Sequence, residues 1–416
     1  MNRLFAIIIS AFMAVLSVSA EKQMTVHLAN PVSMERKSVP VVVPVSGDVR
    51  SAVVTIAGKE VPCQLDDMDD DGLFDELSFV TDMKKKEKLT ATVSLFTEGE
   101  PRQYELKTYG GMAIRDRNKS AAKPQHMPVK SITCPGTSNT YQYIFPHGPV
   151  MESDMAGFRI YGDHRQSIDY YGHKQQRCEI AETSFYPSKE QKAAGYGDDV
   201  LYTGTTYGCG ALYGWDGKNA VMFQNVRTRT YTVVTTGPVR TVIAITNKGW
   251  LPYNGCKPVD ITTTYTVYAG HRDVQVNVRF SRTVADIPLS TGIVDIVEGS
   301  EEYTDKAGLR GCWGTACAGN NPKVYDTHTV GLGVFVPSPY YKSDSHFTDK
   351  DAVPAPKIPN QAYVEVCGTQ TDNLHYWFAV TCDMETFGFS DKNAWFSWLK
   401  DWKKALANPV KIEINK

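Results

Sequence analysis

Hydrophobic alternation with a period of two constrains this chain more than any other feature. In "DVQVNVRF", Val274, Val276, Val278 and Phe280 fall on one side while Gln275, Asn277 and Arg279 fall on the other. Successive strand residues point to opposite faces, so this pattern fits a half-buried strand and does not suit a helix. The preceding "VDITTTYTVYAG" runs into Gly270 and His271, which predicts a hairpin joining the two segments. The stretches "SVPVVVPV", "SAVVTI", "ELSFVTDM", "TATVSLF", "VRTVIAIT" and "HTVGLGVFV" read in the same way. A mainly β, antiparallel fold follows.

One segment breaks this pattern. "SDKNAWFSWLKDWKKALANP" places Trp395, Trp398, Leu399, Trp402 and Leu406 on one helical stripe, with Ser390 as the expected N-cap and Pro409 beyond the end. Such a stripe is expected to clamp the helix onto a sheet rather than to stack sugars.

The first twenty residues, "MNRLFAIIISAFMAVLSVSA", read as a cleaved secretory signal: one early arginine, an apolar run too short to span a bilayer, then small residues. The expected location is therefore periplasmic or extracellular, with no membrane insertion. The polar, Gly- and Pro-broken stretch over 100–130 reads as a linker or excursion. It divides a small N-terminal β-sandwich-like domain over 21–99 from a large antiparallel β-sandwich over 131–416. A formal charge of −2 lacks the concentrated basic field that nucleic acid requires. Nine cysteines stand mostly alone in apolar runs. Only Cys312 and Cys317, in "GCWGTACAG", are spaced to suggest a local bridge. No CxxC pair, P-loop or dinucleotide fingerprint is present.

Two constellations carry candidate chemistry. In "DDMDDDGLFDEL", Asp67, Asp69 and Asp71 alternate before Gly72, with Asp75 at the ninth position of a calcium-loop pattern. The twelfth position is Ser78 and the flanks read as strands, so this is no EF-hand. A structural calcium and a hairpin of Asx turns both remain open. The second constellation is "HGPVMESDMAGFRIYGDHRQSIDYYGHK", which holds three histidines and three tyrosines among many charges. As a strand, "FRIYGDHR" puts Arg159, Tyr161 and Asp163 on one face. "IDYYGHK" adds Asp169, Tyr171, His173 and Lys174 from a partner strand, and the irregular "HGPVMESD" supplies His147, Glu152 and Asp154. These groups suit proton transfer on a carbohydrate, but on the residues alone a salt-bridged sheet face is the favoured reading. A third stretch, "SFYPSKEQKAAGYGDDVLYTGTTYGCGALYGW", is rich in Gly and Tyr, whose rings can stack on sugars.

The run from "HGPVMESD" through "FRIYGDHRQSIDYYGHK" to "FYPSKEQKAAGYGDDVLYTGTTYGCGALYGW", followed by "TTGPVRTVIAI" and "STGIV", resembles the secreted bacterial family catalogued as domain of unknown function 4861. "LDDMDDDGLFDELSFVTDM" is similar to that family's acidic hairpin. The resemblance implies a setting among polysaccharide-utilisation systems, beside enzymes acting on unsaturated uronic acids, and a fold similar to the super-sandwich of mutarotase-like proteins. On that basis the expected activity is elimination on a uronic-acid-containing oligosaccharide, by a lyase or dehydratase that requires no cofactor. Arg159 or Lys174 would neutralise the substrate carboxylate. His147, Tyr161 or His164 would move the proton, with Glu152 and Asp169 orienting them and Asp163 and Tyr171 lining the cleft. The alternatives are a hydrolase using Glu152 with Asp163 or Asp169, and a non-catalytic glycan binder. The oligomeric state stays open.

Overall fold

The computed structural model describes residues 22–118, 124–253, 256–296, 299–349 and 360–415. The expected signal segment over 1–20 lies outside the described residues. Among the described residues no helix is long and apolar enough to cross a membrane.

The mainly β reading stands, with strands in several sheets and one long helix near the C-terminus. Near the N-terminus, a five-stranded sheet packs against a three-stranded one made of Arg36–Pro44, Glu76–Met83 and Cys63–Asp66. Val26, Leu28, Val41, Val43, Val54, Phe79 and Val93 fill the space between them. The outer strand of the five, Lys411–Asn415, comes from the far end of the chain and pairs antiparallel with Lys22–Ala29. The expected boundary at residue 131 therefore needs correcting twice. The last strand belongs to the N-terminal unit, and the supposed linker contains Thr108–Ile114, a strand of the larger unit. Its period-two signal is weak because Gly110 and Gly111 mask it.

The larger unit centres on a nine-stranded sheet running from Ser131–Pro135 to Glu301–Thr304, with the hairpin Val259–Tyr268 and Asp273–Phe280 at its middle. Against it lies a six-stranded sheet in the order Asp198–Asp199, Ile168–Gly172, Ala156–Ile160, Ile144–Ser153, Thr108–Ile114, Met127–Pro128. One face of this sheet joins the core: Phe158 meets Phe378 of the large sheet edge-on, with centroids 5.4 Å apart. Because side chains alternate, Arg159, Tyr161, Asp169 and Tyr171 must point the other way.

The helix Lys392–Ala407 lies on the nine-stranded sheet, where Trp395, Leu399 and Trp402 are buried with Leu309, Phe335 and Ala379. Packing thus claims the tryptophan stripe. A Cβ at Gly333 would come within 2.4 Å of the Leu399 side chain, so the bare backbone is what lets the helix sit this close. The N-cap is Asp391 rather than Ser390: its carboxylate accepts from the amides of Asn393 at 2.8 Å and Ala394 at 3.0 Å. Cys312 and Cys317 are both free thiols. Five positions along an extended chain separate them by roughly 16 Å, far beyond disulfide reach.

A buried polar knot joins the two units. Arg240 Nε donates to Asp66 at 2.8 Å and its Nη2 to Glu76 at 2.6 Å, while Thr235 donates to the other oxygen of Asp66 at 2.6 Å. Gln64 Oε1 accepts from the amides of Val239 and Arg240. Removing one partner of a buried ion pair leaves the other without compensation. Asp66→Ala is expected to cost about 3 kcal/mol in denaturant unfolding, the low end of the usual range because Glu76 still holds Arg240. A loss below about 1 kcal/mol would show that the knot does not hold the units together.

Candidate functional site

The outward face of the six-stranded sheet gathers most of the second constellation. Arg159 and Asp169 sit opposite each other on neighbouring strands, and Tyr171 stands opposite Asp199 one strand further on. Arg159 is only 3% exposed, so its charge must be met locally. Its Nη2 forms an ion pair with Asp169 and lies 3.3 Å from Asp199, and its Nη1 donates to the Tyr186 hydroxyl at 2.7 Å. Phe185 covers the guanidinium at 4.3 Å. Tyr161 donates to Asp169 at 2.8 Å. Burial and the neighbouring Asp169 push the Asp199 carboxyl well above the usual range, opposed by Arg159.

His147 owes its place to an irregularity. "HGPVMESD", expected to be irregular from its Gly and Pro, lies within the strand Ile144–Ser153 except for Asp154, and the strand's register shifts between Phe145 and Val150. At this bulge His147 has φ +73°, a backbone state uncommon outside glycine, and its side chain is turned onto the sheet's outer face. A Cβ on Gly148 would strike the Ile160 carbonyl at 1.9 Å, so only glycine permits the strands to pass here. The His147 ring stacks on Tyr141 with centroids 4.2 Å apart, and its edge faces Tyr186 at 6.4 Å. Nδ1 is 2.8 Å from the Tyr141 carbonyl and therefore carries the hydrogen in the neutral ring, leaving Nε2 as an acceptor. Burial pulls the imidazole pKa below its ordinary value, and the charges of Arg159, Arg115 and Arg165 act in the same sense.

Arg115 lies 3.4 Å from both ring nitrogens of His147. Among the described residues no carboxylate is within ion-pair distance of it, and its Nε is buried without a hydrogen-bond partner. Arg165, by contrast, is spent on Asp163, at 2.8 Å through Nη2, and on the Gly204 carbonyl.

Several expected site residues fall elsewhere. Lys174 is exposed past the strand end and does not join the cluster; its carbonyl accepts from the Thr386 amide. Glu152 is fully buried and accepts from the amides of Glu179 and Ile180 at 2.8 Å each, holding the start of a short helix, with His173 3.1 Å away. Tyr171 donates to Glu179 at 3.2 Å in the same network. These are structural roles, set by the need to satisfy buried polar groups. Asp163 accepts from the Arg165 amide and side chain. His164 is half-buried in the turn between the two strands, its pKa lowered by burial. Arg159, Tyr161 and Asp169 are in the cluster, but as its buried support. Arg115, Tyr141, Arg165, Tyr186 and Asp199 complete it, and sequence reasoning misses all five in that role. Arg115 falls in the supposed linker, while Tyr186 and Asp199 stand in the tyrosine-rich third stretch, whose ring density is the one signal pointing to them.

The acidic loop lies apart. Asp67, Asp69 and Asp71 each offer an oxygen within 4.8 Å of the others, close enough for one cation. The loop's own amides also use them: Asp67 accepts from Asp70 at 2.6 Å and Gly72 at 2.9 Å, and Asp71 from Leu73 at 2.8 Å. Asp75 turns away to the Met68 amide at 2.6 Å, so the ninth-position ligand is missing from the group.

Fold and site define a mainly β protein whose second sheet carries a desolvated arginine cluster with one histidine at its mouth. A family model, domain of unknown function 4861, matches residues 28–412, and the chain belongs to that family. No curated protein matches it. Among solved structures it is similar to two from Enterococcus faecalis: a protein in glycosyl hydrolase family 38, at TM-score 0.46, and an alpha-mannosidase from strain V583, at TM-score 0.45. Identity is 11% in both, over 95% of this chain and 48% and 46% of theirs, so the chain spans about half the length of each.

Glu152→Ala separates the two networks. It is expected to cost about 3–5 kcal/mol of folding stability, by removing the acceptor of two helix amides and the carboxylate beside the buried His173. Thermal or urea unfolding measures this, and a near-neutral result would mean that Glu152 does not anchor the short helix.

Proposed function

We propose that this exported protein acts on uronic-acid-containing oligosaccharides by elimination. The observation that supports this reading most is Arg115 beside His147: a cation with no carboxylate partner among the described residues, paired with a neutral proton acceptor. Removing the proton next to a carboxylate develops charge on that carboxylate, so a cation and a base must stand side by side. Arg115 takes the neutralising role expected of Arg159 or Lys174. Arg159 is consumed by two carboxyl groups, and Lys174 stands outside the cluster.

In this scheme His147 Nε2 takes the hydrogen from the carbon beside the uronate carboxylate while Arg115 holds that carboxylate. The carbon–carbon double bond forms as the bond to the neighbouring oxygen substituent breaks. Tyr186 gives that oxygen a proton. Its hydroxyl accepts from Arg159, so its own hydrogen is left for another acceptor, and burial raises its pKa, keeping the phenol protonated. The residue is 48% exposed, within reach of a ligand. Tyr161 is less suited, because its proton already goes to Asp169 inside the buried cluster. Loss of water makes the enzyme a dehydratase; loss of a sugar makes it a lyase. The two-carboxylate hydrolase is disfavoured, since Asp169 is paired with Arg159, Asp163 with Arg165, and Glu152 is held by helix amides, which leaves none of them free to activate a water.

Incubation with pectic, ulvan-type and glycosaminoglycan oligosaccharides tests the proposal by mass and ultraviolet absorbance. New unsaturation is expected with at least one substrate, and His147→Ala should lower kcat/KM about 10²–10⁴-fold while leaving affinity within a few-fold. Binding without turnover across the panel would make the protein a glycan binder. Gain of water would make it a hydrolase.

The pH profile offers an independent check. A base whose pKa is lowered stays active until the pH drops through that lowered value. The acid limb of kcat/KM is therefore expected below the ordinary histidine range of about 6.5. Arg115→Gln removes one of the cations depressing His147 and should move the limb upward. A wild-type acid limb at or above the ordinary histidine range would exclude His147 as the titrating base.

A further inference from the structure

Beside the cluster lies an open groove of about 550 Å³, bounded by the strand Thr108–Ile114 on one side and residues 233–236 on the other. The elimination scheme does not use it, although Thr235 and Ile180 on its wall also serve the structural networks. Its volume falls within the range of about 300–1,000 Å³ typical of ligand clefts. Its position is set by covalent neighbours of the base: Phe145 and Pro146 line it, and His147 follows them in the chain. Arg115 spans both places, 5.0 Å from the centre of the Phe145 ring and 3.4 Å from the His147 nitrogens.

The lining has the mixture a sugar requires. His126 stacks on Phe145 with centroids 3.8 Å apart, making a two-ring wall. Part of the floor is bare backbone at Gly110 and Gly111, where a Cβ on Gly111 would lie 2.5 Å from the Tyr109 hydroxyl. Val150, Ile180 and Val233 supply apolar surface for the C–H faces of a pyranose. The charge is one-sided. Lys130 lines the groove and none of the lining residues is Asp or Glu. His126 Nδ1 accepts from the Asp116 amide at 2.9 Å, so in the neutral ring its hydrogen sits on Nε2 and can be donated. Lys130 is paired with Asp70 of the acidic loop, but both side chains are largely exposed, and such pairs yield readily to a better-placed anion.

We propose that this groove is a second saccharide subsite, which holds the units next to the reacting uronate and selects chains carrying carboxylate or sulfate groups there. The proposal rests on the elimination reading only for which sugar reacts; occupancy of the groove does not depend on it. Length and charge of the glycan become the determinants of affinity, with Lys130 and His126 meeting the acidic substituent and Phe145 setting the position of the ring.

Calorimetric titration of the full chain tests this with mono-, di- and tetrasaccharides from pectic, ulvan and glycosaminoglycan sources, and with maltotetraose as the neutral probe. Acidic tetrasaccharides are expected to bind at least about tenfold more tightly than their monosaccharides and than maltotetraose. Ala113→Trp, which fills the groove from its half-buried wall, should abolish that length advantage. Lys130→Gln, an exposed change that spares the fold, should remove the preference for acidic over neutral chains. Affinity independent of length in the wild type overturns the subsite, as does an unchanged length advantage in a folded Ala113→Trp. If that variant fails to fold, an undiminished acidic preference in Lys130→Gln overturns it instead. Length-dependent binding without turnover of any glycan would leave the subsite standing and sink the elimination reading. Turnover without a length effect would do the reverse.

Discussion

Burial of one guanidinium organises the outer face of the six-stranded sheet. Arg159 stands on a central strand of the six-stranded sheet, under Phe185, with almost no access to water. A charge so placed persists only if neighbours meet it in number and in direction. Asp169 meets it from the next strand, Asp199 from the edge and Tyr186 from the covering segment, while Tyr161 donates to Asp169 in turn. Each of these groups is thereby fixed. The side chains on the rim, His147 and Tyr186, inherit their orientation from a framework that has little freedom to move.

Electrostatics then divides the labour. Arg159 is matched by two carboxyl groups, so its charge is already met inside the protein. Arg115 is matched by none among the described residues, and it stands against the ring of His147. A cation that need not be separated from a partner is the one available to an incoming anion. The same field, together with burial, holds the imidazole in its neutral form. One arrangement thus yields both an anion acceptor and a proton acceptor.

The β architecture is readable in sequence because alternation reports a face directly: Val274, Val276 and Val278 are buried where the pattern puts them. The C-terminal helix is readable for the analogous reason, and its cap is missed by one residue because Ser390 and Asp391 are equally good cappers. The shared face of Arg159 and Tyr161 is legible from strand periodicity, whereas Asp169 joins them through a register that only the structure gives. What stays hidden is everything decided at long range. Nothing local marks Arg115 as a neighbour of His147, because their strands meet only through the pairing of Thr108–Ile114 with Ile144–Ser153. Glu152 and Lys174 look like active-site residues in sequence. One is consumed by helix amides and the other overshoots its strand, and neither outcome is encoded within a few residues of it.

The pairing of Lys411–Asn415 with Lys22–Ala29 joins two ribbons from opposite ends of the described chain. Until the later ribbon has been made and has folded back, the N-terminal sheet has one rail uncovered. That rail is a template for adding a foreign strand. Closure waits for contacts separated by nearly the whole chain length, a topology that folds slowly. The five-residue ribbon therefore acts as a latch, and cutting it away would leave the opposite end of the polypeptide sticky rather than merely shortening a tail.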